Sequence, residues 1–157
     1  MDSPTERLVA ADVVRGVSRM LYRHDYLAVA EVPLGNGRRA DIMALGPKGE
    51  VIIVEVKVSR ADLLGDGKWT DYLEYCDRYF WAVPQGFDLD LFDRAALAPL
   101  TTGLIVADRY DAAILRESEQ RVLAAARRKA ETLRLARMAA RRMMVMSSVL
   151  EIDLGDG

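Results

Sequence analysis

Val51-Ile52-Ile53-Val54-Glu55-Val56-Lys57-Val58 decides the fold. Six of these eight residues are β-branched and apolar, the composition of a strand buried on both faces at the centre of a sheet. Glu55 and Lys57 stand two apart inside it, so both side chains leave the same face. Two charges in such a strand cost several kcal/mol unless they are paired, hydrogen-bonded or bound to an ion. A strand with only a packing role would carry Val or Ile there. Glu55-Val56-Lys57 is therefore the first candidate site.

Working back from this strand, Gly46-Pro47-Lys48-Gly49 marks a tight turn, and residues 38–45 read as the strand before it. Gly35-Asn36-Gly37 is a hairpin turn, with a further strand expected over residues 26–34. A hairpin symmetric about Asn36 sets Glu31 opposite Asp41 on one face. Asp41 lies one strand over from Glu55, so two acids and a lysine converge from neighbouring strands. Ahead of the meander, Ser3-Pro4-Thr5-Glu6 is a capping box with proline at the first helical position. Val9, Val13, Val17, Met20 and Leu21 then follow at helical spacing. Gly16 implies close packing of this helix against the sheet, and His24 stands at its end.

Working forward, residues 59–64 read as a short helical start and residues 65–69 as a loop. Asp71-Tyr72-Leu73-Glu74 reads as a second capping box opening a helix through Arg78. Residues 79–84 read as a strand stopped by Pro84; the intervening helix makes it parallel to the central strand, with a right-handed crossover. A short helix over 88–97, two strands over 102–107 and 112–116, and a long helix over 116–144 complete the chain, with a loose acidic tail over 147–157.

The bounds agree with one domain spanning residues 1–157. About half of the residues are apolar, enough for a real core. No apolar run approaches a membrane span, and the N-terminus lacks the regions of a signal peptide, so a cytoplasmic protein is expected. A single cysteine, Cys76, and a single histidine, His24, exclude a disulfide framework, a Cys-rich zinc site and His-based catalytic clusters. Any metal must be held by carboxylates. Residues 116–142 hold nine Lys/Arg against three Glu, a local +6 that leaves −8 on the rest of the chain. An acidic body with a basic helix suits divalent cations in one place and phosphates in another.

The order helix, three-strand meander with Asp41 in the second strand, Glu55-Val56-Lys57 in the third, then helix and strand resembles the PD-(D/E)XK nuclease superfamily. The longer run is more specific: Gly37-Arg38-Arg39-Ala40-Asp41-Ile42, Ile53 to Lys57, Asp62, then Lys68-Trp69, Asp71-Tyr72 and Tyr75-Cys76-Asp77-Arg78. It is similar to the bacterial MmcB-like family of DNA-repair endonucleases, over about residues 5–117. The resemblance implies a restriction-endonuclease-like α+β fold: an αβββαβ core, a mixed central sheet flanked by helices, and a long C-terminal helix. It implies a Mg²⁺-dependent DNA endonuclease, with Mn²⁺ as substitute and no small-molecule cofactor. Asp41, Glu55 and the Val56 carbonyl would hold the metal, and Lys57 would serve the attacking water or the phosphate. Glu31 is a further metal-ligand candidate, with pairing to Arg38 or Arg39 as the alternative. Ala40 replaces the superfamily's proline, and a first-helix acid could come only from Asp12, since capping accounts for Glu6.

For DNA contact the candidates are Lys68 and Trp69, a cation beside an aromatic, and Arg127, Arg134 and Arg141, spaced by seven along the last helix. Val122, Ala126, Leu133, Ala140 and Met144 read as that helix's thin apolar stripe. Cys76 has no feature that would activate a thiol. Tyr72, Tyr75 and Cys76 read as core. A catalytically inactive nuclease-fold module that binds DNA or a repair protein remains the alternative. The sequence leaves open whether two chains pair as a homodimer to cut both strands.

Overall fold

The computed structural model describes residues 8–150. Six strands form one open sheet in sequence order. β1 (Leu27–Pro33), β2 (Arg39–Leu45) and β3 (Val51–Val56) make an antiparallel meander. β4 (Arg78–Pro84) and β5 (Gly103–Ala107) then run parallel to β3, and β6 (Ala112–Arg116) returns antiparallel. The helices are α1 (Ala10–Arg23), α2 (Arg60–Leu64) and α3 (Ala125–Met146). The expected mixed sheet flanked by helices, with a C-terminal helix, is thus the fold. No helix among the described residues is long and apolar enough to cross a membrane.

Every residue of β3 is buried, because the sheet is covered on both sides. On one face Ile52, Val54 and Val56 pack with Val13, Val17 and Met20 of α1. On the other, Val51 and Ile53 join a larger cluster holding Trp69, Tyr79, Trp81 and Leu135 of α3. Each such aliphatic side chain contributes about 1.5–3 kcal/mol by leaving water. Alternation along β3 sends Glu55 and Lys57 to this second face.

The Ser3–Glu6 capping box lies outside the described residues. Within them, Asp12 accepts from the Val9 amide at 3.0 Å and so caps the start of α1; its other oxygen lies 3.8 Å from Arg109. Gly16 lets α1 approach the β5–β6 turn: a Cβ there would sit 1.8 Å from the Asp108 carbonyl oxygen. The helix ends at His24, as expected.

The β1–β2 hairpin keeps the register expected from a turn centred on Asn36, with Ala30 opposite Ile42 and Val32 opposite Ala40. Within it, however, Glu31 takes a left-handed backbone, φ 53°, unusual for a residue with a Cβ. Strand alternation breaks at this point. Ala28 packs toward α1, yet Val32, of the same parity, packs in the cluster on the other face.

Two helices differ from expectation. Residues 71–78 do not form an α-helix; Trp69–Tyr75 is 3-10. The Asp71 carboxylate pairs with Arg38 Nε at 3.0 Å instead of capping, and the Asp77 amide donates to the Val51 carbonyl at 2.8 Å, drawing the chain into β4. Likewise α3 begins at Ala125, not at residue 116. Residues 117–124 are held extended: Ser118 Oγ accepts from the Tyr79 amide, and the Arg121 and Leu123 amides donate to Asp77. The stripe expected on this helix is also misplaced. Val122 is 86 % exposed and Leu133 59 %, while Glu131 and Leu135 are the residues buried. Polar contacts do much of the docking: Arg128 binds Asp77, Glu131 accepts from the Gly35 amide, and Arg142 donates to the Ala30 and Glu31 carbonyls.

Candidate functional site

Asp41 on β2 and Glu55 on β3 are latched crosswise. Glu55 Oε1 accepts from the Asp41 amide at 3.1 Å, and Asp41 Oδ2 accepts from the Val56 amide at 2.8 Å. These bonds, at the end of the β2–β3 ladder, fix two carboxylates side by side where Glu55 is only 4 % exposed. Burial, and then the charge of Asp41, push the Glu55 carboxyl up to about 9. Two like charges this close, Glu55 buried and Asp41 half-buried, call for either a shared proton or a cation.

Lys57, 7 % exposed, is drawn elsewhere. Its Nζ lies 2.8 Å from Asp66 and 3.7 Å from Asp62. Burial alone would lower the Lys57 ammonium, but the hydrogen bond and charge of Asp66, with Asp62 and Glu55 adding to it, raise it instead. Ser59 accepts from the Asp62 amide at 3.1 Å, opening α2 and so presenting Asp62 to the lysine. Tyr72 closes the cluster: its hydroxyl donates to the Arg39 carbonyl at 3.0 Å, and burial, followed by Glu55 and Asp41, pushes it up to about 12.

The chain therefore sets Asp41 beside Glu55 and puts Lys57 two residues on, with its ammonium held by Asp66 and Asp62. In the sequence Asp66 is one residue of a Gly65–Gly67 loop. The signal was an acid between two glycines shortly after a buried lysine that needs a partner.

Other expectations are corrected. No group of three or more His, Cys, Asp or Glu among the described residues is arranged to hold a metal ion, so Glu31 does not join Asp41 and Glu55. Its left-handed backbone interrupts the alternation, and its carboxylate, 68 % exposed, lies 3.9 Å from Arg39. Trp69 is no stacking platform for bases. It is 6 % exposed, with its ring 5.6 Å from Tyr79 and 5.1 Å from Trp81. Lys68 beside it is exposed. Arg127 lies over the Tyr75 ring at 4.3 Å, and Arg134 is 3.5 Å from Glu131. Arg134 and Arg141 line a shallow groove together with Arg137 and Pro33. Cys76 is buried, and burial, then Asp77, push its thiol up to about 12, so it is inert at neutral pH.

A cavity of about 710 Å³ lies apart from the two paired acids, neither of which is among its described lining residues. It opens beyond the carboxyl ends of β3, β4 and β5, starting at Val58, the residue after Lys57.

A mixed α+β sheet carrying a latched acid pair and a buried lysine at the end of its central strand is the class of protein defined here. The chain belongs to the MmcB-like DNA repair protein family, whose model matches residues 4–149. It is also similar to a solved structure of a protein of unknown function from Silicibacter pomeroyi. That likeness has 41 % identity and a TM-score of 0.81, covering 96 % of this chain and 100 % of the other. No curated protein matches the chain.

Proposed function

We propose that this DNA repair family member is a metal-dependent deoxyribonuclease of the PD-(D/E)XK type, with endonucleolytic cleavage favoured. The observation that carries the reading is the Asp41–Glu55 pair, held side by side by backbone amides with Lys57 two residues further along the same buried strand. The donor chemistry fits Mg²⁺ or Mn²⁺. One oxygen of each carboxylate is engaged by an amide, which leaves the other for a hard cation.

Asp41, Glu55 and the Val56 carbonyl oxygen would hold the ion. Bound there, Mg²⁺ would neutralise phosphoryl charge and supply an activated water. The residues' own part is positional: the crossed amide bonds fix both carboxylates before any ligand arrives, and Asp66 orients the Lys57 ammonium, which remains charged to meet phosphate. DNA would lie along the α3 side of the sheet, the face that also carries Glu55 and Lys57. There Arg134, Arg137 and Arg141 form an exposed basic row.

One observation favours a second reading, a non-catalytic module that binds DNA or a repair protein. Lys57 is already satisfied by Asp66 at 2.8 Å, as a purely structural ion pair would be. A plasmid-nicking assay with Mg²⁺ or with chelator separates the two. The nuclease reading expects Mg²⁺-dependent nicking that Glu55→Ala and Lys57→Ala abolish while both variants remain folded. Wild-type protein that binds DNA but cuts none of a panel of flaps, junctions and lesions would leave the binding module.

A further inference from the structure

The cavity beyond β3, β4 and β5 has a composition of its own. Its described walls come from the three loops that follow these parallel strands, with Leu8 ahead of α1, at the place where open sheets bind ligands. Its volume, about 710 Å³, falls within the ~300–1,000 Å³ of small-molecule sites. Two polar side chains on it are uncommitted: Arg60 and Gln85 make no side-chain hydrogen bond or ion pair among the described residues. Two rings flank them. Phe87 is braced by Phe92 at 5.8 Å, and Tyr110 is 62 % exposed.

The charges decide what fits. Arg60 and Arg109 are matched on the wall by Asp88 and Asp108. Both carboxylates are tied into turns: Asp88 accepts from the Asp90 amide, and Asp108 from the amides of Tyr110 and Asp111. Counted over the described residues the lining carries no net charge, and its two carboxylates disfavour a phosphate between them. An aromatic, hydrogen-bonding and uncharged group suits it better, which describes a nucleobase. The primary amide of Gln85 can both donate to and accept from a base edge, the rings can stack on it, and Arg60 can take the attached phosphate. Val58 on the rim is three residues along the chain from Glu55, roughly 10 Å at ~3.3 Å per residue. That is a step of one or two nucleotides from the candidate site.

We propose that this cavity receives one unstacked deoxynucleotide of the DNA strand, base inward and phosphate toward Arg60. The inference rests on the nuclease reading only for the identity of the substrate strand. It makes the protein selective for DNA in which a base is already unpaired, since extruding a paired base costs a few kcal/mol.

The test is binding in chelator, so that cleavage plays no part. Full-length protein is titrated with a fluorescent duplex carrying one mismatched or extrahelical base, and with the perfect duplex of equal length. The expected result is about tenfold tighter binding to the first, the equivalent of about 1.4 kcal/mol. Gln85→Leu and Arg60→Gln, both at exposed positions, should remove that preference with unchanged melting temperature. Arg134→Gln should weaken both duplexes alike. Free deoxynucleoside monophosphates form a further arm: competition at micromolar concentration would show a site for free nucleotides and overturn a strand-bound one. Equal affinity for the two duplexes, or a preference that survives in both cavity variants, also overturns the proposal, whatever the nicking assay gives. A preference without any cleavage would uphold it while removing the nuclease reading.

Discussion

Arg128 of α3 binds the Asp77 carboxylate with both terminal nitrogens, at 2.8 Å to Oδ2 and 2.7 Å to Oδ1. The same two oxygens accept from the Val51 and Leu123 amides. Asp77 thereby joins the start of β3, the extended crossing segment and the final helix. Asp77 is 5 % exposed, so removing one partner leaves a buried charge uncompensated, at a cost of about 3–5 kcal/mol. Arg128→Ala is expected to show that loss in denaturant unfolding, and Asp77→Ala, which leaves a partly exposed Arg128 and two amides without their acceptor, to approach it.

This pair also sets an acid limit. Burial works to raise the Asp77 carboxyl, but the Arg128 hydrogen bonds and the two amides prevail and hold it below the ordinary range. A depressed carboxylate contributes stability that is present above its unfolded pKa, about 3.9, and is lost as pH falls through the folded value. Wild-type stability should therefore decline below about pH 4. Asp77→Asn, already short of the charge, should show a shallower decline over that window in pH-resolved melting.

Glu55 has the opposite sign. Its carboxyl is raised from 4.5 to about 9, so between those values the folded state holds a proton that the unfolded state releases. Metal-free protein should lose stability as pH rises across that window. Glu55→Gln should flatten the dependence and be the more stable protein at pH 8 in chelator. Millimolar Mg²⁺ should raise the wild-type melting temperature through linkage and leave that of Glu55→Gln unchanged. A wild-type melting temperature indifferent to Mg²⁺ would count against Asp41 and Glu55 as ligands.

Much of this could be read from the chain because its central features are local. Glycines at 35 and 37 fix a turn about Asn36, and from that turn the register follows to the far end of the hairpin. Asp41 then falls beside Glu55 because both stand one residue beyond the Ile42–Val54 pair. What could not be read depends on distant partners. Nothing local marks Glu31 as left-handed; its carbonyl is held by Arg142, 111 positions away. Residues 117–124 contain no glycine or proline, so it is distant contacts, with Asp77, Tyr79 and Thr101 among the partners, that keep them out of the helix. Lys68-Trp69 looked like one functional pair, yet the tryptophan serves the core and only the lysine reaches solvent.

That division between Lys68 and Trp69 can be measured. Trp69 packs between Tyr79 and Trp81 in the cluster beneath the 3-10 turn, so Trp69→Ala should cost about 3–5 kcal/mol as a large-to-small core change. Under conditions where the variant stays folded, its DNA affinity per folded molecule should be unchanged. Selective loss of affinity with normal stability would restore the tryptophan to the DNA surface.

The basic face of α3 makes the last prediction, and the structure alters which residues should carry it. Spacing by seven selects Arg127, Arg134 and Arg141, but Arg127 is engaged with the Tyr75 ring at 4.3 Å. Arg134, Arg137 and Arg141 instead share one groove beside Pro33 and are exposed. Guanidinium groups so placed can follow a phosphate backbone without reading bases. Each phosphate contact to duplex DNA adds about −0.9 to the slope of log K against log salt. Replacing Arg134, Arg137 and Arg141 together by Gln should flatten that slope by roughly two to three units. Affinity should fall about equally on unrelated sequences, with some loss of stability from position 134, whose guanidinium lies 3.5 Å from the buried Glu131 carboxylate. Replacing Arg127 alone should move the slope less than replacing Arg137 or Arg141, because its charge is already partly directed to the ring. A triple variant with normal folding and an unchanged slope would remove α3 from the DNA interface.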